Sequence, residues 1–299
     1  MKTGTSGHIL LMLALATLMA AGGIVSAATT TGEDVALRFA VLGDAEPKPE
    51  PEFPNLAAAV DDINDLAEQQ RIDFVAGIGD IPHDGTMVQY RNVTPELQRL
   101  TLPFYPIMGN EEHTSTEERF LTFATRWNEG DPAIDSTRYV LDTEEVALIF
   151  ASPDHGRDFD DEGVDWILTK LEEAAPKPAL LFVHGAPTGI YPENPDKGIT
   201  HERFGTVTEQ PNLAAVISGD LHMDMDRTNH SKRVDGVHYL HIPPLERTKI
   251  PDESRHNPMF RVFAVTRDGH VEVTTYQVGL DAPLERHDYR FELPAGNPE

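Results

Sequence analysis

Three observations predict an α/β fold. Apolar runs of strand length recur along the chain, most of them end on a Gly-polar pair or a short polar signal, and stretches with helical spacing separate them. No Gly/Ser linker or internal repeat divides the chain, so one large domain is expected after an N-terminal leader.

The leader is residues 1–27. Lys2 supplies a positive start, "ILLMLALATLMAAGGIV" an apolar run, and "VSA" before Ala28 a small-residue cleavage site, the pattern of an export signal. Its apolar part is short for a bilayer span and has no basic stop-transfer flank. The mature chain is therefore expected to be periplasmic or extracellular, without stable membrane insertion. The domain should occupy 28–293, and a Pro-rich tail, 294–299, should fray.

In chain order, "VALRFAVLGD" is the first strand and ends at Asp44. "PNLAAAVDDINDLAEQQ" places Leu56, Val60, Ile63 and Ala67 on one helical face. "IDFVAGIGD" ends at Asp80 and "LPFYPIMGN" at Asn110. "STEERFLTFATRW" opens with Ser115 or Thr116 as N-cap and Glu118 in capping-box range. "TRYVLDTEEVALIFAS" reads as a hairpin, and "EGVDWILTKLEEA" turns Val164, Ile167, Leu168 and Leu171 inward. Two buried strands, "PALLFVHG" and "NLAAVISGD", carry His184 and Asp220 at their ends. "GVHYLHIP" and a hairpin turning at Asp268-Gly269 complete the set.

Fifty acidic against 24 basic residues give a formal charge of −26, which repels nucleic acid and anionic membranes and reads as a solvated acidic coat. An anionic substrate must then be drawn in by local positive charge, such as a metal. The absence of cysteine excludes disulfides, thiolate metal sites and Cys nucleophiles.

A single Gly-Asp after a strand is an ordinary turn. Five strands finishing at Asp44, Asp80, Asn110, His184 and Asp220 with His222 are a constellation, because sites in α/β sheets form outside the carboxyl ends of the strands. Loop histidines His83, His155 and His201 lie near the expected face, as does the loop holding Tyr191, Lys197 and Arg203. Asp224 and Asp226 are expected at a solvent-facing strand edge, and His238 and His241 on opposite faces of one strand.

The series "GDAE", "GIGDIPHDG", "MGNEEH", "FVHGAP" and "SGDLHMD" resembles the calcineurin-like metallophosphoesterases, whose pattern is Asp-x-His, Gly-Asp, Gly-Asn-His-Glu/Asp, a lone His and Gly-His-x-His. The likeness runs from Phe39 to His222. It implies two packed mixed β-sheets flanked by helices, a four-layer αββα sandwich. It also implies that Asp44, Glu46, Asp80 and His222 hold one divalent ion, and that Asp80, Asn110, His184 and Asp220 hold another, with Asp80 bridging. Such a pair activates water and stabilises the departing ester oxygen.

Three positions depart from the pattern, each replacing a His: Glu46, Glu111 and Asp220. Carboxylates at Glu46 and Asp220 shift the expected metal from Zn towards Mn, Mg or Ca. Glu111 takes the place of the family's catalytic His. It can act as general acid only if its pKa is raised, and His113 is the alternative. The implied function is an exported phosphoesterase acting on small-molecule or extracellular phosphate mono- or diesters. The alternatives are a non-catalytic metal- or ligand-binding descendant of the fold, or a metal enzyme of altered chemistry, such as elimination on acidic sugars.

Overall fold

The computed structural model describes residues 34–48, 52–223, 225–226, 228–247 and 256–295, all within one compact unit. The expected export signal, Asp224 and tail residues 296–299 lie outside the described residues.

The first half of the chain forms β1 (Val35–Leu42), α1 (Pro54–Gln69), β2 (Phe74–Gly77), α2 (Met87–Leu97), β3 (Phe104–Pro106), α3 (Glu117–Trp127), β4 (Arg138–Asp142) and β5 (Ala147–Ala151). The second half forms α4 (Asp161–Ala174), β6 (Ala179–Phe182), α5 (Phe204–Thr208), β7 (Leu213–Ser218), β8 (Ser231–Val234), β9 (Val237–His241), β10 (Met259–Thr266), β11 (His270–Gln277) and β12 (Tyr289–Glu292).

The strands make two mixed sheets of six, in the orders β12-β11-β10-β1-β2-β3 and β4-β5-β6-β7-β9-β8. β1, β2 and β3 run parallel in the first, and β5, β6, β7 and β9 in the second. Side-chain alternation then creates the layers. Phe39 and Val41 of β1 face the other sheet with Phe74, Phe150, Phe182 and Phe263. Phe39 stacks on Phe74 and Phe263 at 5.0 and 5.2 Å between centroids, and Phe150 on Phe182 at 4.4 Å. Ala40 and Leu42, one residue out of phase, pack outward on α1, α2 and α3. On the other sheet Ile149, Leu181 and Val216 pack on α4 and α5. The expected four layers are observed.

The expected helices form for local reasons. α1 begins with Pro54 in its first turn and buries Leu56, Val60 and Ile63. Thr116, not Ser115, caps α3 by accepting from Arg119 N at 3.2 Å. Asp160 caps α4 by accepting from Gly163 N at 2.9 Å. Leu168 is only partly buried beside Val164, Ile167 and Leu171. The sequence reading missed α2, whose period is masked by Pro95 inside it, although Tyr90, Val93 and Leu97 line its buried face. It also missed α5, β8 and β12, which are too short to show a period.

Candidate metal centre

Because β1, β2 and β3 are parallel in one sheet and β6 and β7 in the other, their C-terminal ends meet at one edge of the sandwich. The sheets are tied there: the Asp44 carboxylate accepts from Asp220 N, at 3.0 Å to Oδ2. Asp44, Asp80, Asp220 and His222 have φ of 49°, 52°, 69° and 50°. Left-handed backbone is uncommon outside glycine and concentrates at functional sites.

Asp44, Glu46, Asp80 and His222 are fully buried and each offers a donor atom, all within 4.8 Å of one another. His222 Nε2 lies 3.3 Å from Glu46 Oε1 and 3.6 Å from Asp44 Oδ1. Its Nδ1 stands 2.9 Å from Arg247 O. A carbonyl only accepts, so Nδ1 carries the proton and the Nε2 lone pair faces the carboxylates, the orientation a metal ligand needs.

Asp80, His184 and Asp220 form a second buried group under the same criterion. His184 Nδ1 donates to Ile78 O at 2.8 Å. Its Nε2 stands 3.4 Å from Asp80 Oδ1 and 3.6 Å from Asp220 Oδ1 and makes no hydrogen bond. Burial opposes a charge on this ring, but Asp80 and Asp220 outweigh it and raise its pKa well above the usual value. So many buried carboxylates demand a cation, and oxygen-rich donor sets suit hard divalent ions.

The second group already holds cations. Arg157 Nε donates to Asp220 Oδ2 at 2.8 Å, and its terminal nitrogen donates to Asn110 Oδ1 at 2.6 Å. Lys197 Nζ is 2.8 Å from Asp220 Oδ1 and donates to Asp220 O at 2.7 Å. Burial raises the Asp220 pKa, and His184, Lys197 and Arg157 override it to keep the carboxylate ionised. Asn110, expected as a ligand, turns its amide oxygen to Arg157.

Glu111 sits to one side, accepting from Lys48 Nζ at 2.6 Å and Asp84 N at 2.8 Å, with His83 Nδ1 at 2.8 Å. Burial raises its pKa, but these three partners prevail and lower it to about 2. A residue so held is an anion near neutral pH, whereas the general acid considered from the sequence needs a raised pKa. His113 belongs to neither group; its Nε2 donates to Pro153 O at 3.0 Å, and burial lowers its pKa.

Glu112, fully buried, was missed by the sequence reading although it occupies the Glu/Asp position of the Gly-Asn-His-Glu/Asp pattern. Its carboxylate accepts from Gly109 N at 2.8 Å, Ile81 N at 2.9 Å and Asp80 N at 3.0 Å, stitching the β2 and β3 loops together. Burial and the Asp80 charge raise its pKa to about 7. Lys48 and Arg157 were also missed. The signal for Lys48 was scarcity, since it is one of seven lysines in the chain.

The remaining candidates sit elsewhere. His201 is 3.5 Å from Asp161, Asp226 pairs with Arg286 at 2.6 Å, and His238 stacks on Phe291 while His241 is fully buried. A cleft of about 600 Å³, lined by His155, Arg157, Lys197 and Thr200, reaches the Asp220 side of the centre. The larger hollow, about 1160 Å³ beside α5 and β9, includes no residue of either group.

No curated protein matches the sequence. Among solved structures, the fold is similar to purple acid phosphatase PPD1 from yellow lupin (Lupinus luteus), with a TM-score of 0.61 and 13% identity over 87% of this chain and 54% of that one. The chain thus spans about half the length of the lupin enzyme. It is also similar to GAP50 of Plasmodium, with a TM-score of 0.56 and 11% identity over 86% of this chain and 88% of that one. At such identities the likeness concerns the fold alone. The family model described as "Calcineurin-like phosphoesterase" matches residues 37–224. With that match over more than half the sequence, in the fold and strand-end cluster seen here, the chain belongs to the calcineurin-like phosphoesterases.

Proposed function

We propose that the protein is a divalent-metal-dependent phosphoesterase acting on phosphate mono- or diesters, exported after loss of its first 27 residues. The observation that carries this reading is the buried group Asp44, Glu46, Asp80 and His222, with its donor atoms within 4.8 Å of one another at the strand ends of a phosphoesterase fold. A bound divalent ion supplies Lewis acidity towards the phosphoryl oxygen and the attacking water. The three carboxylates favour Mn, Mg or Ca over Zn.

The chain's own residues do the rest. Arg247 O fixes the His222 tautomer, and Ile78 O that of His184. Arg157 and Lys197 line both the cleft and the centre, where they offer an anionic ester its local positive charge against a chain of net charge −26. Glu111, held anionic by Lys48, positions that lysine and does not protonate a leaving group.

The experiment is metal content and hydrolysis of p-nitrophenyl phosphate and bis-p-nitrophenyl phosphate after Mn loading, with Asp80→Ala alongside. The expected result is bound metal, turnover of at least one ester, and loss of both in the variant. Metal without any turnover sinks the enzyme reading.

That outcome leaves a second reading, a metal-binding module. Its support is the Glu111 carboxylate pinned where the family has its His, and the similar fold of GAP50, the anchor in the inner membrane complex of Plasmodium.

A further inference from the structure

The second ion of a dinuclear centre would need Asp80, Asn110, His184 and Asp220, and their donor atoms do not fit it. Both Asp220 carboxylate oxygens face a cation: Oδ2 accepts from Arg157 Nε at 2.8 Å, and Oδ1 stands 2.8 Å from Lys197 Nζ in an ion pair, without a hydrogen bond. The Asn110 amide oxygen is engaged by Arg157 at 2.6 Å. The group's other two members, His184 Nε2 and Asp80 Oδ1, are 3.4 Å apart. We infer that this chain holds one divalent ion, at Asp44, Glu46, Asp80 and His222, and that the Arg157 guanidinium and Lys197 ammonium stand permanently in the place of the second. The inference rests on the metal-dependent reading above.

Charge agrees with geometry. Asp44, Glu46, Asp80 and Asp220 bring four buried negative charges to the two groups. Arg157 and Lys197 already face Asp220, and a second divalent ion would put a third cation on that one buried carboxylate, a costly arrangement in a low-dielectric site.

The backbone holds both basic residues where they are. Gly156, at φ 59°, turns the segment before Arg157, and His155 bridges to Asp158. The Asp158 carboxylate accepts from Thr200 N at 3.1 Å and His201 N at 3.2 Å, tying the Arg157 loop to the Lys197 loop. Next to Lys197, Gly198 has φ 137°, and a Cβ there would lie 2.1 Å from Ala186 O. Only glycine lets this loop close and bring Lys197 onto Asp220.

The test is metal stoichiometry by mass spectrometry on full-length protein saturated with Mn and desalted, with melting curves to verify folding. Wild type should carry one equivalent per chain, His222→Ala none, and His184→Ala still one. The double variant Arg157→Ala/Lys197→Ala should rise towards two. Two equivalents in wild type, or loss of the ion in His184→Ala, overturns the inference and leaves the metal-dependent reading standing. A folded double variant that stays at one equivalent overturns the stand-in role. No ion in wild type overturns the metal-dependent reading itself, and the inference with it.

Discussion

Substituting Glu111→Gln keeps side-chain volume and one acceptor oxygen but removes the charge that Lys48, Asp84 N–H and His83 surround. Burial opposes ionisation of Glu111, yet the Lys48, Asp84 and His83 contacts bring its pKa from 4.5 to about 2. At about 1.4 kcal/mol per pKa unit, this shift sets a ceiling of about 3 kcal/mol on the stabilisation. The Lys48 and His83 side chains are 21% and 24% exposed, so solvent screening reduces it to about 1–2 kcal/mol. The folded pKa lies below the unfolded one. The contribution is therefore complete above pH ~4.5 and disappears as pH falls through ~2. Urea unfolding of metal-free wild type and variant should show a gap of about 1–2 kcal/mol near neutral pH, closing between pH ~4.5 and ~2. Equal stability near neutrality, or a gap that persists at pH ~2, refutes the account of Glu111 as a pinned anion.

Glu112→Ala removes the acceptor of three backbone N–H groups, and at about 1–3 kcal/mol per orphaned donor the loss should be about 3 kcal/mol or more; a change below about 1 kcal/mol in urea unfolding contradicts the stitching role. In Gly79→Ala, with φ 90° and a Cβ 2.6 Å from Gly109 N and 2.9 Å from His184 Nδ1, the β2 loop must shift. The melting temperature and bound Mn should fall together, and a variant that retains both refutes the close approach. Thr116→Ala removes the α3 cap and should cost about 1 kcal/mol without altering metal content; a loss of Mn in this variant would show the helix end to be coupled to the centre.

Much of the fold was legible because its signals are local. The β1 and β7 runs, the capped α3 and α4 and the β10–β11 hairpin each declare themselves within a dozen residues. α2 did not, because Pro95 interrupts its period and only packing of Tyr90 on Phe123, 4.7 Å between centroids, reveals its inner face. In the centre, Asp44, Asp80, His184, Asp220 and His222 were legible as strand-end residues. Glu112 was overlooked beside Glu111, since the adjacent carboxylates look alike in sequence and differ only in what surrounds them.

The sequence alone determined the α/β class, the strand ends where a cation site forms, and the exchange of three imidazoles for carboxylates. Periods of 2 and 3.6 and polar punctuation after apolar runs are set by near neighbours. Only the tertiary structure decided which charge meets which. Arg157 reaches Asp220 across 63 positions, and Lys48 reaches Glu111 across the same span. Those pairings depend on where loops return after crossing the sandwich, which no local pattern encodes. The charge a buried carboxylate keeps follows from the partners brought to it in space, and so Glu111 is a fixed anion and Asp220 a carboxylate already engaged.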